Sequence, residues 1–440
     1  MQIVESSSLT ELGIEYGMGK TSRSKPYTFL LVLFPLICNY NFIKVSPTLV
    51  LCLIESILVL VCKAKDDPIL LDTRIFIYLA YMLISSIVGI CNSEQNSIYT
   101  ILMKCIRYVV FFFVFYVFSW QVIDLEYAKD LYIKVAAIAS ILVMIQFVFA
   151  RLGHRFSLVL PGIPIVGEDG TTSDYIRLMQ ITNNRLSSVF FEPAHQCEYV
   201  IPCLALLLFG EDEKKRTKNI AMAILLTIGC FCTTSTIGIL SSVIIWGFWV
   251  LTVMKQRGVN GLLYLIVIIP MVFCIVFYFL GFENVSQNVF TRLAVLNFRN
   301  TTVSEGFRRV KYGWLCYGDM DLFHKLFGAG YQNFGYYIAK IGTGYKYYRT
   351  NDISWISYTN GITGMLIGLG VIGTILNFRL YLWDLIKSKD LMVYGLLLSW
   401  ALIMFTSDSF DDAAAMLPLV LAMSIALPQN RRKFKLSIRL

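Results

Sequence analysis

The chain has 440 residues, 57% of them hydrophobic and only 15% charged, with a formal net charge of +9 and a mean hydropathy of +0.65. A soluble protein of this length would expose too much apolar surface, which excludes the soluble classes and leaves a polytopic membrane protein. The positive balance then reports topology and contact with anionic membrane lipids, not nucleic-acid binding.

Residues 1–26 are polar, with Ser6, Ser7 and Ser8 followed by Lys20, Arg23 and Lys25. They lack the apolar core of a cleavable signal peptide and are expected to form a flexible cytoplasmic tail. Gly17-Met18-Gly19-Lys20-Thr21 ends like a phosphate-binding loop, but Ile14 stands where that motif needs its first glycine, and no strand is expected before it.

Apolar windows near 27–43, 46–62, 74–91, 98–120, 131–152, 194–210, 218–234, 236–254, 261–281, 354–380, 391–407 and 412–427 give about twelve spans on a requirement of roughly 20 residues each. The expected fold is all-α: one transmembrane helical bundle over 27–427, between the tail 1–26 and a basic tail 428–440. Lys214-Lys215-Arg216, Lys255, Arg257, Lys387, Lys389 and Arg431-Arg432-Lys433 fall on the side of the N-terminus, while the short loops opposite hold only Lys44. The positive-inside rule therefore puts both termini in the cytoplasm. Most of the 11 cysteines lie in apolar stretches, where a thiol acts as a small hydrophobe. Cys230-x-Cys232 has no second pair to complete a zinc site.

Two long connections, 153–193 and 282–353, are expected on the external side as structured loops. Loops of that length are usually functional or disordered, and the second is too aromatic for disorder, with Trp314, Tyr317, Tyr331, Tyr337 and Tyr347 among others. Thr302-x-x-Glu305 reads as a capping box. Phe307, Val310, Trp314 and Tyr317 then recur at helical spacing, with Arg308, Arg309 and Lys311 on another face. Such a helix could lie in the membrane interface.

The chemistry concentrates in Arg185-Leu186-Ser187-Ser188-Val189-Phe190-Phe191-Glu192-Pro193-Ala194-His195. Pro193 suits a first helical position, which makes Glu192 an N-cap, and three-residue steps bring Glu192, His195 and Glu198 to one side of the helix. A general base in Glu192 or His195 with Arg185 holding an anion is the functional reading. A capping carboxylate, a buried histidine and a structural ion pair are the alternative. Arg177, Arg308, Arg309 and Arg349 extend the basic set of the external loops and suit phosphate, since arginine binds it bidentately. Gly344-Tyr345-Lys346-Tyr347-Tyr348-Arg349 mixes phenol rings with cations and suits sugar stacking or an interfacial belt equally. His324 and His154 are the imidazoles of the loops, and neither has metal-ligand spacing. Asp408, Asp411 and Asp412 read as a solvated hairpin. Glu55, Lys104 and Arg107 are intramembrane charges, with a Glu55–Arg107 bridge expected. Gly364-x-x-x-Gly368 reads as close helix packing.

Arg185 to His195 resembles the R-x-S-x-x-x-x-E-P stretch of the O-antigen and capsular polysaccharide polymerase family. Leu326-Phe-Gly-Ala-Gly-Tyr331 is similar to that family's second-loop glycine motif, and Asn360 to Gly373 to the glycine-rich span after it. The R-x10-G pattern of some members is absent, with Ser188 and Asn360 at the places that Arg177 and Arg349 would require. O-antigen ligases carry a histidine where Ser354-Trp355-Ile356-Ser357 stands here, which favours polymerase over ligase. The resemblance implies a metal-independent glycosyltransferase of the bacterial inner membrane, without a cofactor. Its substrate would be an undecaprenyl-diphosphate-linked oligosaccharide, and its further partner a chain-length regulator protein. It also implies Glu192 or His195 as base, Arg185, Arg308, Arg309, Arg177 and Arg349 at the diphosphate, and Tyr345, Tyr348 and His324 at the sugars. The alternatives are an O-antigen ligase and a lipid-linked oligosaccharide flippase. A transporter is expected to show internal repeats and short external loops, and neither is read here.

Overall fold

The computed structural model describes residues 2–5, 23–41, 47–66, 69–92, 119–165, 172–210, 216–257, 305–331, 333–348, 359–406, 413–427 and 436–439, with Ile356 and a few positions between 102 and 114. Helices dominate. They run α1 Lys25–Ile37, α2 Pro47–Asp66, α3 Thr73–Asn92, α4 Ser119–Val122, α5 Leu125–Arg151, α6 Ser173–Thr182, α7 Pro193–Leu208, α8 Arg216–Cys232 and α9 Thr236–Arg257. The second half holds α10 Glu305–Asp319, α11 Leu322–Phe327, α12 Phe334–Lys340, α13 Thr343–Tyr348, α14 Gly361–Tyr381, α15 Trp383–Ile386, α16 Leu391–Thr406 and α17 Ala413–Ala426.

The all-α expectation needs one amendment. Gln2–Glu5 (β1), Ile69–Leu71 (β2) and Leu436–Arg439 (β3) form a small antiparallel sheet in the order β1-β3-β2. Gln2 pairs with Arg439 and Ile69 with Ile438, so the two ends of the chain and the α2–α3 connection meet. These strands lie in polar segments, where no apolar period announced them.

Among the described residues, three helices are long and apolar enough to cross a membrane: α5, α9 over Thr236–Lys255, and α14. Shorter apolar helices cover parts of the windows at α1, α2, α3, α16 and α17. The 261–281 window lies outside the described residues, as does most of 98–120.

The core centres on α7, which packs against α5, α8, α9, α16 and α17. Every residue from Gln196 to Leu208 is buried. A helix apolar on all sides belongs inside a bundle, and this one carries the Glu192–His195 motif at its entrance. Three buried tyrosines in and around it close their hydroxyls on backbone carbonyls, as a membrane interior favours. Tyr132 Oη donates to the Tyr199 carbonyl at 2.5 Å, Tyr199 Oη to Val32 O at 3.1 Å, and Tyr27 Oη to Val114 O at 2.9 Å.

Helix α14 is not one rod. Gly370, with φ 68° and ψ −179°, breaks it in the middle, where the apolar pattern promised a continuous span. Glu55 accepts a hydrogen bond from Ser24 Oγ at 2.7 Å. Its expected partner Arg107 lies outside the described residues, as do Lys104, Asp408, Asp411 and Asp412.

Candidate active site at the entrance to the central helix

The connection from α6 to α7 is an ordered platform built on side-chain amides. From the buried end of α6, Gln180 Nε2 donates to Ser187 Oγ at 2.7 Å and to the carbonyls of Phe190 and Phe191 at 2.9 Å each. Its Oε1 accepts from Ser157 Oγ at 2.6 Å. From α5, Gln146 Oε1 accepts the Ser188 backbone N–H at 2.8 Å. Buried backbone groups need such partners, and here two glutamines supply them for a loop that has no regular structure.

Ser188 sits in this platform with φ +52° and no exposed surface. Among the described residues its Oγ has no hydrogen-bond partner. A buried non-glycine residue in the left-handed region stores about 1–3 kcal/mol, a feature that clusters at functional sites. The strain turns the chain so that Val189 to Glu192 can climb to the first turn of α7.

Glu192 occupies the N-cap position with extended backbone, yet its side chain makes no capping bond. Its carboxylate meets Arg185 instead, with Nη2 to Oε2 at 3.3 Å and side-chain exposures of 45% and 32%. That distance is long for a charge-assisted hydrogen bond. The pair therefore sits at the surface of the platform, half open to its surroundings. His195, one turn into α7, is half-buried, and Glu198 and Tyr199 below it are buried.

The other expected site residues fall elsewhere. Arg177 folds back on its own loop, donating to Val159 O at 2.8 Å and lying 4.0 Å from Asp174. His324 Nδ1 lies 2.5 Å from Asp321 Oδ2, which also accepts from Tyr337 Oη at 3.0 Å. The His324 and Tyr337 rings pack at 4.4 Å between centroids. Tyr345 is exposed at 68%. Beside it, Asp319 accepts from Lys346 Nζ at 2.7 Å and from Tyr347 Oη at 2.8 Å. Those two donors hold the Asp319 carboxyl below its ordinary range, and Asp319 in turn raises Lys346.

Arg308 and Arg309 lie on α10 and Tyr348 ends α13. Their side chains, and Arg349 as a whole, lie outside the described residues. No cluster of three or more His, Cys, Asp or Glu with metal-holding geometry occurs among the described residues. The inward face of α10 is built largely from small residues. Gly313, Cys316 and Met320 are buried, while Trp314 is 42% exposed. Gly313 sets that rotation, because a Cβ there would lie 2.2 Å from Thr363 Oγ1 of α14, so only the bare backbone fits the close approach.

Gln146 and Gln180 escaped the sequence reading. An amide in the apolar 131–152 window was a usable signal, since polar groups at that depth need a purpose. Gln180 lay in a segment read only as loop.

No protein-family model matches the chain, and no curated protein or solved structure matches it.

Proposed function

We propose that the chain is an O-antigen or related surface-polysaccharide polymerase, joining lipid-diphosphate-linked oligosaccharide units at the external face of the bacterial inner membrane. The observation that carries the reading is the half-open Arg185–Glu192 pair, held at the mouth of the buried central helix by a strained, amide-clamped loop. An exposed ion pair contributes about 0–1 kcal/mol, so moving the guanidinium from Glu192 to an incoming diphosphate costs little. That exchange leaves Glu192 as a carboxylate able to take a proton.

In the reaction, the acceptor sugar hydroxyl forms a bond to C1 of the donor sugar, and the C1–O bond to the lipid diphosphate breaks. Glu192, or His195 one turn below, takes the hydroxyl proton. The bonding electrons leave with the diphosphate, whose charge Arg185 offsets. Inversion at C1 follows from a single displacement. Three membrane-length helices among the described residues support a membrane setting. The pairing of β1 with β3 supports both termini lying on one side, which the distribution of lysine and arginine makes the cytoplasmic one.

Deleting the protein and resolving surface polysaccharide on a gel tests the reading. Polymerase loss leaves single repeats on the anchor. Loss of a ligase leaves none attached, and loss of a flippase traps the unit inside. A ladder that survives deletion overturns the proposal.

A further inference from the structure

The segment from Asp321 to Tyr331 was expected to lie wholly outside the membrane, yet contacts with two apolar helices fix its depth along them. Gly370 stands at the middle of the 21-residue α14, about 14 Å from its first residue at 1.5 Å per residue. A Cβ there would lie 2.3 Å from Leu326 O, and one at Gly328 would lie 2.3 Å from Gly368 O. On α3, mid-helix Tyr81 donates from Oη to Phe327 O at 2.9 Å and Leu369 O at 2.7 Å. Higher on α3, Gly89 faces Gly330. Leu326 to Gly328 therefore reach about half the depth of a membrane-length helix, and Gly330 climbs back toward the end from which the segment entered.

Backbone groups at the tip of this segment are paired, as a low-dielectric setting requires. The break at Gly370 releases carbonyls of α14, and Ala329 N donates to Ile367 O at 2.8 Å and Gly330 N to Gly368 O at 3.0 Å. Gly328 N donates to His324 O at 2.8 Å. Asn333, fully buried, donates to Gly89 O at 3.1 Å and Ala329 O at 3.2 Å. Its side chains do the reverse. Helix α11 has no buried residue, and Leu322 (73%), Phe323 (54%), Leu326 (38%) and Phe327 (41%) stand exposed.

A paired tip backbone with bare apolar side chains, and with the Lys325 ammonium turned back onto Gly318 O at 2.6 Å, fits hydrocarbon and not water at the depth of a bilayer's interior. Exposed Phe76, Ile77, Leu83 and Ile84 on the adjoining α3 continue the same apolar surface. We infer that residues 321–331 form a re-entrant hairpin that enters one leaflet beside the broken α14 and presents Leu322, Phe323, Leu326 and Phe327 to the acyl chains of the bilayer. This holds whatever reaction the protein catalyses. Asp321 and His324, at the upper end of α11, are then carried near the headgroups.

The test uses the full chain reconstituted in phosphatidylcholine vesicles. Phe323→Trp adds one fluorophore, read as the difference from the parent, and Leu322→Trp is a second variant should the first not fold. Loss of the added emission in vesicles of acyl-chain-brominated lipid, with no loss to aqueous iodide, is the expected result. Quenching by iodide without quenching by brominated lipid would place α11 in water and overturn the inference. Quenching by neither would mean that protein, such as a second copy of the chain, covers α11, and would overturn it equally.

Discussion

The carboxylate of Glu192 turns away from the helix it precedes and meets the guanidinium of Arg185 at 3.3 Å. A short polar side chain at an N-cap position ordinarily serves the first backbone amides of its helix. Here the capping bond is not made, and the charge is spent on a long contact that the surroundings can reach. That arrangement separates a group built for the helix from a group positioned by it, and the strained loop beneath shows what holds it there.

Gln180 is the clamp. Replacing it by Leu leaves Ser187 Oγ and the Phe190 and Phe191 carbonyls without a donor that now reaches all three. A buried polar group stripped of its partner costs about 1–3 kcal/mol, and a loss of at least that size is expected in thermal unfolding in detergent. Gln180→Glu removes the donor but keeps the acceptor for Ser157, and is expected to lose nearly as much. A wild-type transition for both variants would mean that water replaces the amide without penalty.

Ser188 tests the strain directly. Its φ of +52° suits glycine, and its buried hydroxyl makes no hydrogen bond among the described residues. Ser188→Gly is expected to hold or raise stability, by up to about 1 kcal/mol. Ser188→Val is expected to lower it by more than that, because a β-branched residue resists this conformation. The order of the two unfolding temperatures checks the assignment.

Two glycines of α14 should respond in opposite ways. Gly370→Ala puts a methyl 2.3 Å from Leu326 O on backbone that favours glycine alone, and a loss of at least about 3 kcal/mol is expected. At Gly368 the nearest atom to a new Cβ is Gly330 O, at 3.6 Å. Gly368→Ala is therefore expected to be neutral or favourable by up to about 1 kcal/mol, given the helix preference of alanine. Thermal unfolding of the two variants side by side decides the matter.

The Asp319–Lys346 contact ties α10 to α13 and should titrate. Asp319 is lowered below its unfolded value by Lys346 and Tyr347. Its contribution is present above the ordinary carboxylate range of about 4 and is lost as pH falls through the depressed value. Lys346 is raised, so its contribution is full below about 10.4 and is lost as pH climbs through the raised value. Hydrogen exchange of 343–347 should accordingly stay protected between those limits and open at both extremes. Protection that stays unchanged once Asp319 is protonated would contradict the pairing.

Much of the helical body was legible because bilayer-length apolar runs announce themselves. The entry of α7 at Pro193 was equally readable from a proline at a first helical position. The break at Gly370 was not, since one glycine among several in Asn360 to Gly373 carries no local mark of a positive φ. What fixes it is the approach of Leu326 and Gly328, forty residues earlier in the chain. The rotation of α10 was unreadable for a similar reason: Gly313 against Thr363 decides it, and periodicity counts only the large residues. At the site, Arg185 and Glu192 were found from their charge. Gln146 and Gln180 were missed because what they do depends on which carbonyls the folded loop brings to them. Arg177 was grouped with the anion-binding set on charge alone, and its carbonyl contact with Val159 became visible only in the fold.

The most direct test of the central claim is the surface-polysaccharide ladder made by cells carrying Arg185→Ala or Glu192→Gln as the sole copy, read together with membrane protein level and unfolding temperature. Loss of this exposed pair should alter stability by no more than about 1 kcal/mol. The account predicts that the ladder collapses to a single repeat in both variants while the protein remains folded in the membrane. Full-length ladders from both would contradict it.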